Sequence, residues 1–289
     1  MNKFYIQIVF FLLSVSLYVN NETLAANPAP RKDKKSESEK TYSTPGEIYK
    51  QNMDLLCTNP NEIKNAAKLM NEAATHLKHH VKNIEDYEVY ARNSCYNMAT
   101  NIKKYGKMVD QIINLKYYHI DKYNAIINLL WDPDLADDFN PDSVQRKIVR
   151  VYNPNLVMIQ QRYKDSKGPH KYFYALAAKI DISEDATIIV MTSANINDGH
   201  PSKEEFKNTI IENANLFTTD INSEEDIRKG KLKKTFVNIA GYLIEKKDDY
   251  VNIGYLESIN GHVSNYPELF IEKYLNKFFS LKKAYASCT

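Results

Sequence analysis

Four strand-length segments follow one another in the middle of the chain, and they restrict the fold more than any other feature. They are rich in Val, Ile, Tyr and Met and cover residues 144–152, 156–164, 172–180 and 186–196. Such residues favour pleated surfaces. Short breaks of turn-forming residues separate the segments, for example Asn153-Pro154-Asn155. Strands joined by hairpin-length breaks predict an antiparallel meander and disfavour alternating strand–helix units.

More strand-like sequence flanks this meander on both sides. From Asp86 to Tyr117 the apolar period shortens towards two, which predicts two or three antiparallel strands with a turn at Gly106. A continued helix remains an alternative there, because residues 95–104 carry no strong breaker. After the meander, further strands are predicted over residues 209–218, 236–245 and 250–258.

Helix signals precede the first strands. Thr44 and Glu47 have the spacing of a capping box and begin a predicted short helix over residues 45–57. Asn59 can cap a longer helix whose apolar residues recur at helical spacing up to Val81. These helices are expected to pack on the sheet.

A third helix is predicted just before the meander, and it contains the only tryptophan of the chain, Trp131. Its apolar face is made by Tyr123, Ile126, Ile127 and Leu130. Pro133 ends the helix. A large residue that closes such a face is expected to anchor the helix to the sheet. The next residue, Asp132, faces either solvent or the wall of whatever the sheet encloses, and both interpretations stay open.

A last helix is predicted after Pro267. Its apolar stripe consists of Ile271, Tyr274, Leu275 and Phe278. A stripe of this width on a terminal helix is expected to cover the concave side of the sheet, as a lid. The sequence therefore predicts an α+β fold, in which a curved antiparallel sheet wraps around a C-terminal amphipathic helix and further helices stand at the N-terminus.

The N-terminal residues have the pattern of a secretory signal. Residues 1–25 contain a lysine, an apolar run and a small-residue cleavage site, which predicts a signal peptide and a secreted protein. Residues 26–44 are polar and charged, and a disordered linker is expected there. Secretion permits disulfides among the three cysteines. A Cys57–Cys95 bridge is one prediction, and unpaired thiols throughout, Cys288 included, are the other.

Several function classes are disfavoured by composition. The net charge of +2 gives no reason to expect nucleic acid as a partner. With 8 glycines, the chain lacks phosphate-binding glycine loops, and it has no Gly-x-Ser-x-Gly nucleophile motif. His76, His79 and His80 lie at helical spacing, but no third ligand accompanies them. No enzyme activity, metal or cofactor is expected.

Three short stretches resemble START (steroidogenic acute regulatory-related lipid transfer) domains. Leu130-Trp131-Asp132 is similar to the family's Trp-Asp at the end of its short helices. Residues 170–179 are similar to the strand that usually opens Arg-Asp-aromatic, and residues 260–267 are similar to the segment that precedes the lid helix. This resemblance covers residues 59–285 and implies a helix-grip START-like fold, with a lipid-binding domain over residues 59–289.

A closer resemblance is to the fam-a proteins of rodent malaria parasites, a secreted START-like family. The signal peptide, the charged linker, residues 55–60 and residues 147–161 carry it. It implies transfer of phospholipid, especially phosphatidylcholine, by a monomer in transient contact with membranes. The parasitophorous vacuole or the host erythrocyte is the implied destination. The alternative is an exported surface or interaction protein that has kept the START-like fold and lost lipid transfer.

The resemblance also implies the residues that meet the lipid. Asp132 is expected at the head group, while Asn128 stands where phosphatidylcholine-binding START domains have an arginine. Arg162 or Arg150 is expected to replace that arginine if either points inward. The predicted lipid-binding residues are Asn128, Trp131, Asp132, Arg162, Tyr163, Tyr172, Phe173 and Tyr174.

Overall fold

The computed structural model describes residues 43–93, 97–105, 108–133, 144–164, 170–202 and 206–259. Within these ranges the strands are β1 Glu88–Asn93, β2 Met98–Tyr105, β3 Met108–Tyr117, β4 Val144–Asn153, β5 Leu156–Lys164, β6 His170–Ser183, β7 Ala186–Thr192, β8 Asn195–Asn197, β9 Thr218–Asp220, β10 Lys233–Lys234, β11 Val237–Lys246 and β12 Val251–Ile259. The α-helices are α1 Pro45–Gln51, α2 Pro60–Lys82, α3 Tyr123–Trp131, α4 Glu212–Leu216 and α5 Glu225–Arg228.

One large sheet dominates the described part of the chain. Its strands follow the order β1-β2-β3-β12-β11-β7-β6-β5-β4, and β10 adds to β6. Neighbours along this path are antiparallel, whereas the short β10 runs parallel to β6. The predicted meander is confirmed from β4 to β7, and the strands predicted between Asp86 and Tyr117 are present as β1, β2 and β3. The α+β class predicted from the sequence is therefore confirmed.

Each face of the sheet is buried under different elements, and we name the faces accordingly. The α2 face packs on helix α2 and carries, for example, Tyr172, Tyr174 and Leu176 of β6. The α3 face packs on α1 and α3 and carries Phe173 and Ala175 of the same strand. Because side chains alternate along a strand, both faces of β6 are apolar and the strand reads as a nearly continuous apolar run.

Local signals place the helices that cover these faces. Thr44 and Glu47 form the predicted capping box at the start of α1. The Asn59 side chain accepts hydrogen bonds from the first amides of α2. Helix α2 lies very close to β12, because a Cβ atom at Gly254 would stand 2.3 Å from Cγ1 of Val81. The absent side chain at Gly254 therefore permits this helix to pack directly on the strand.

The strand predicted over residues 209–218 is wrong. Residues 212–216 form α4, and only Thr218–Asp220 are extended, as β9 beside β8. The Glu72 carboxylate of α2 accepts hydrogen bonds from the amides of Glu212 at 2.8 Å and Asn213 at 3.1 Å. A carboxylate at the free amides of a helix start stabilises the helix. This partner comes from a distant part of the chain, so local strand preference does not reveal it.

One of the two cysteines of the predicted disulfide lies in the described part of the chain. Cys57 is a free thiol. Its amide donates to the carbonyl of Val151 in β4, at 2.8 Å, and β4 lies at the opposite end of the strand order from β1 and β2. Cys95 lies outside the described residues. The Cys57–Cys95 bridge therefore stays a prediction.

Other predictions fall outside the described ranges. They are the signal peptide over residues 1–25, nearly all of the linker over residues 26–44, and the lid helix with Ile271, Tyr274, Leu275 and Phe278. Among the described helices, none is long and apolar enough to cross a membrane.

Candidate functional site

The residues predicted to bind lipid lie on both faces of the sheet. Trp131, Tyr163 and Phe173 belong to the buried cluster of the α3 face. Tyr172 and Tyr174 belong to the α2 face. Arg162 pairs with Tyr172 across β5 and β6 and therefore points to that second face as well. A single lipid cannot contact both sets, so the predicted residues divide into two groups.

The group on the α2 face is held by polar partners within the protein. The Tyr172 hydroxyl donates to the buried carboxylate of Asp198 at 2.8 Å. Arg162 binds Asp226 through two hydrogen bonds of 2.7 and 3.1 Å. Gln160 donates to the Tyr174 hydroxyl at 2.7 Å. The contacts of Tyr172 and Arg162 fasten the segment between β7 and β11 to the sheet.

Neither arginine proposed to replace Asn128 points to the α3 face. Arg162 is bound as described above, and Arg150 binds the Glu62 carboxylate of α2 at 2.7 Å. The register shift between Ile148 and Arg150 turns the latter to the α2 face. Both guanidinium groups therefore act in the packing of that face.

Helix α3 places its last residues at the opposite face. Trp131 is 7% exposed, and its indole Nε1 has no hydrogen-bond partner among the described residues. Asp132 follows as the C-cap, and its amide donates to the carbonyl of Asn128 at 3.0 Å. The Asp132 carboxylate accepts a bond of 3.4 Å from the amide of Ser43. Asp132 is thus buried beside the chain segment that leads into α1.

A group of polar side chains interrupts the apolar α3 face. We call it the inner polar cluster, and it consists of Arg146, Gln161, Tyr242, Tyr255 and Glu257. Arg146 Nε and Nη2 donate to Gln161 Oε1 at 2.9 and 2.7 Å. Tyr242 and Tyr255 are cross-strand neighbours, with ring centroids 4.8 Å apart and planes at 40°. The Tyr255 hydroxyl donates to Glu257 Oε2.

Burial and two charges act on the tyrosines of this group. Burial raises the pKa of Tyr242, with the Arg146 guanidinium lowering that pKa and the Glu257 carboxylate raising it. Burial also raises the pKa of Tyr255, and the same two charges act on it. Arg146 is on β4, although β11, β7, β6 and β5 lie between β4 and β12 in the sheet.

The cluster was missed at the level of sequence, although a signal for part of it exists. Arg146 stands two residues before Ile148, and Glu257 stands two residues before Ile259 and two after Tyr255. Both charges are therefore in phase with apolar positions of the buried face. The sequence alone does not show which β4 side chains point to the α3 face, because the strand has apolar residues on both sides of its bulge.

His76, His79 and His80 lie near the end of helix α2. No group of three His, Cys, Asp or Glu side chains there is arranged to hold a metal ion. The His80 ring contacts the Tyr87 hydroxyl at 3.1 Å. Burial comes first among the causes that lower the pKa of His80, followed by the neighbouring His79 and His76.

Comparison with known proteins gives similarity in fold. Neither a family model nor a curated protein matches the chain. The chain is similar to human STARD10, at 11% identity over 73% of this chain and 76% of that chain, with a TM-score of 0.48. It is also similar to human StAR-related lipid transfer protein 5, at 10% identity over 74% of this chain and 93% of that chain, with a TM-score of 0.46.

A bacterial structure shows a weaker likeness. A STAR-related lipid transfer protein fragment from Xanthomonas axonopodis matches at 9% identity over 68% of this chain and 93% of that chain, with a TM-score of 0.39. Identities this low concern the arrangement of strands and helices alone. The chemistry of the site is therefore argued from the residues of this chain.

Proposed function

We propose that the protein binds and carries a phospholipid, with phosphatidylcholine as the expected species, against the α3 face of its sheet and without catalysing a reaction. The observation that supports this most strongly is the inner polar cluster. A guanidinium, a carboxylate and two phenols lie on a face that also carries a large apolar cluster. Such a surface suits a molecule with long apolar chains and a polar end.

The energetics favour a carrier over a catalyst. Each CH₂ group of an acyl chain that leaves water contributes about 0.8 kcal/mol, so a pair of chains is retained without any covalent step. Burying a charge costs several kcal/mol unless it has a partner. A phospholipid head group carries both signs of charge, so a guanidinium and a carboxylate on one face can both contact it.

The proposal also covers the oligomeric state, the secretion and the membrane contact of the protein. We propose a secreted monomer of the fam-a type that contacts membranes transiently, takes up one lipid and releases it to another membrane. In this arrangement Trp131, Tyr163 and Phe173 form part of the apolar wall, because all three are buried on the α3 face. The role of Asp132 at the head group stays a prediction.

Transfer between vesicles tests the function directly. Donor vesicles that contain fluorescent phosphatidylcholine and a quencher are mixed with unlabelled acceptor vesicles, and recovery of fluorescence is followed with and without the protein. Arg162→Gln, on the α2 face, serves as the matched variant and is expected to transfer lipid at the wild-type rate. An absence of transfer by folded wild-type protein would contradict the proposal and favour an interaction protein that has lost lipid transfer.

A further inference from the structure

We propose that residues 43–57, which we call the N-terminal strap, form a gate at one side of the lipid site on the α3 face. The strap consists of helix α1, the 3₁₀ turn Met53–Leu55 and the residues that lead into α2. This inference rests on the proposed function, because it assumes that a lipid occupies the α3 face. It goes beyond that function by assigning the rate of lipid exchange to a segment outside the sheet.

The strap connects the end of helix α3 to β4, the last strand in the order of the sheet. At its start, the amide of Ser43 donates to the carboxylate of Asp132, the C-cap of α3, at 3.4 Å. At its end, Leu56 forms a bridge with Val151 of β4, and the amide of Cys57 donates to the Val151 carbonyl at 2.8 Å. A lipid that enters or leaves between β4 and α3 therefore has to pass the strap.

The two ends of the strap are held with unequal strength. The end at Cys57 has a short main-chain hydrogen bond to β4, and Asn59, two residues on, caps helix α2. The start has the long contact of Ser43. Between the ends, Ile48 is the only residue of α1 that is buried, and it belongs to the same apolar cluster as Trp131. A segment with so few buried contacts opens more readily than the strands beneath it. Cys57 is therefore the hinge of the strap, and Ile48 is its latch.

Helix α1 is capped by residues of the strap itself. The amide and the hydroxyl of Thr44 donate to Glu47 Oε2 at 2.7 and 2.9 Å, and the Glu47 amide donates back to the Thr44 hydroxyl at 3.3 Å. At the other end, the Asn52 side chain donates to the carbonyl of Ile48 at 2.8 Å. These bonds move with the helix, so opening the strap leaves its caps in place. What opening removes is the burial of Ile48 and the contact of Ser43 with Asp132.

A gate has a kinetic signature that differs from that of a residue in contact with the lipid. A strap that closes in the same way over an empty and a loaded site slows uptake and release by the same factor. It leaves the fraction of protein that carries lipid at equilibrium unchanged, because it binds both states equally well. A residue that contacts the lipid changes release relative to uptake, and with it this fraction.

Stopped-flow fluorescence measures both rates with the full-length protein. Uptake is followed as self-quenched fluorescent phosphatidylcholine leaves donor vesicles, and release is followed after a chase with excess unlabelled phosphatidylcholine vesicles. Ile48→Ala is expected to raise both rates by about tenfold, since it removes most of the side chain that holds the strap closed. The fraction of loaded protein should equal that of wild type. Should Ile48→Ala fail to fold, Ile48→Val removes one methyl group and is expected to raise both rates by about threefold.

Two controls separate the gate from other effects. Met53→Ala changes a side chain of the strap that is 54% exposed, and wild-type rates are expected. Gly254→Ala disturbs the packing of α2 on the opposite face, so wild-type rates are expected for it at temperatures where it is folded. A wild type that takes up no lipid would overturn the proposed function.

Three results would overturn the gate while leaving lipid binding in place. The first is exchange at wild-type rates in folded Ile48→Ala and Ile48→Val. The second is faster release with unchanged uptake, since Ile48 would then act as a contact of the bound lipid. The third is an equal rise of both rates in Gly254→Ala, since a general loss of stability would then explain the effect.

Discussion

Replacing Lys234 by Met is expected to destabilise the protein by about 3 kcal/mol, because it removes the cation from a buried carboxylate. Lys234 Nζ lies 2.9 Å from Asp198 Oδ1 and 3.1 Å from the carbonyl of Ile196. The Asp198 side chain is 2% exposed, so solvent cannot replace the lost partner. Removing one member of a buried ion pair costs about 3–5 kcal/mol. The lower end applies because Asp198 keeps hydrogen bonds from Tyr172 and His200.

Thermal unfolding followed by circular dichroism measures this effect. A loss of about 3 kcal/mol corresponds to a fall in Tm of about 6–12 °C for a domain of this size. Lys233→Met is the matched control, since Lys233 is the exposed neighbour on β10, and a change within about 0.5 kcal/mol is expected for it. The double variant Lys234→Met with Asp198→Asn should be more stable than Lys234→Met alone, because no buried charge is then left unpaired.

The Lys234→Met variant also tests whether the lipid binds to the α3 face alone. Asp198, Lys234 and Tyr172 belong to the α2 face, so phosphatidylcholine capture by Lys234→Met should equal that of wild type at temperatures where both are folded. Equal stability of Lys234→Met and Lys233→Met would refute the reasoning on the buried ion pair. Loss of capture in a folded Lys234→Met would refute the assignment of the lipid to the α3 face alone.

Three further predictions concern stability and the thiol. Gly254→Ala is expected to lower the free energy of unfolding by about 1–3 kcal/mol, because its Cβ would stand 2.3 Å from Cγ1 of Val81. The control Gly46→Ala in α1 places a Cβ with nothing within 4 Å, so it should leave the free energy of unfolding unchanged or raise it. Urea unfolding measures both variants. Burial alone would raise the pKa of Glu224, but hydrogen bonds from Lys147 and Gln160 bring it from 4.5 to about 2. The ionised Glu224 therefore stabilises the protein fully above about pH 4.5, and this stabilisation is lost as the pH falls towards about 2. Glu224→Gln should accordingly weaken the dependence of Tm on pH between these two values. An unchanged dependence of Tm on pH would contradict this. Cys57 is expected to react with an alkylating agent in denatured, unreduced protein, and a protected Cys57 would show that it forms a disulfide.

Much of the fold could be predicted from local patterns. Strand preference and hairpin-length breaks located β4 to β7, and the capping residues Thr44 and Asn59 located the starts of α1 and α2. These signals are local, because each depends on a few consecutive residues. The start of α3 at Tyr123 has no side-chain cap and follows a short 3₁₀ turn, so capping residues do not locate it.

The site could be predicted less well, because it depends on which face each strand residue occupies. Both faces of β6 are buried, so its sequence does not alternate between polar and apolar residues. The sequence therefore does not show that Phe173 points to one face while Tyr172 and Tyr174 point to the other. Tyr242 and Tyr255 are neighbours because β11 pairs with β12, and Arg146 meets Gln161 because β4 pairs with β5. Strand order and curvature are properties of the whole sheet, which local periodicity does not determine.

The most direct test of the central claim is the identification of lipids that co-purify with the full-length protein. The protein is expressed in a eukaryotic host that makes phosphatidylcholine, purified without detergent, extracted with organic solvent and analysed by mass spectrometry. The account predicts about one phospholipid per protein, with phosphatidylcholine enriched over its share in the host membranes. Folded protein that carries no lipid, and that takes none up from phosphatidylcholine vesicles, would contradict it.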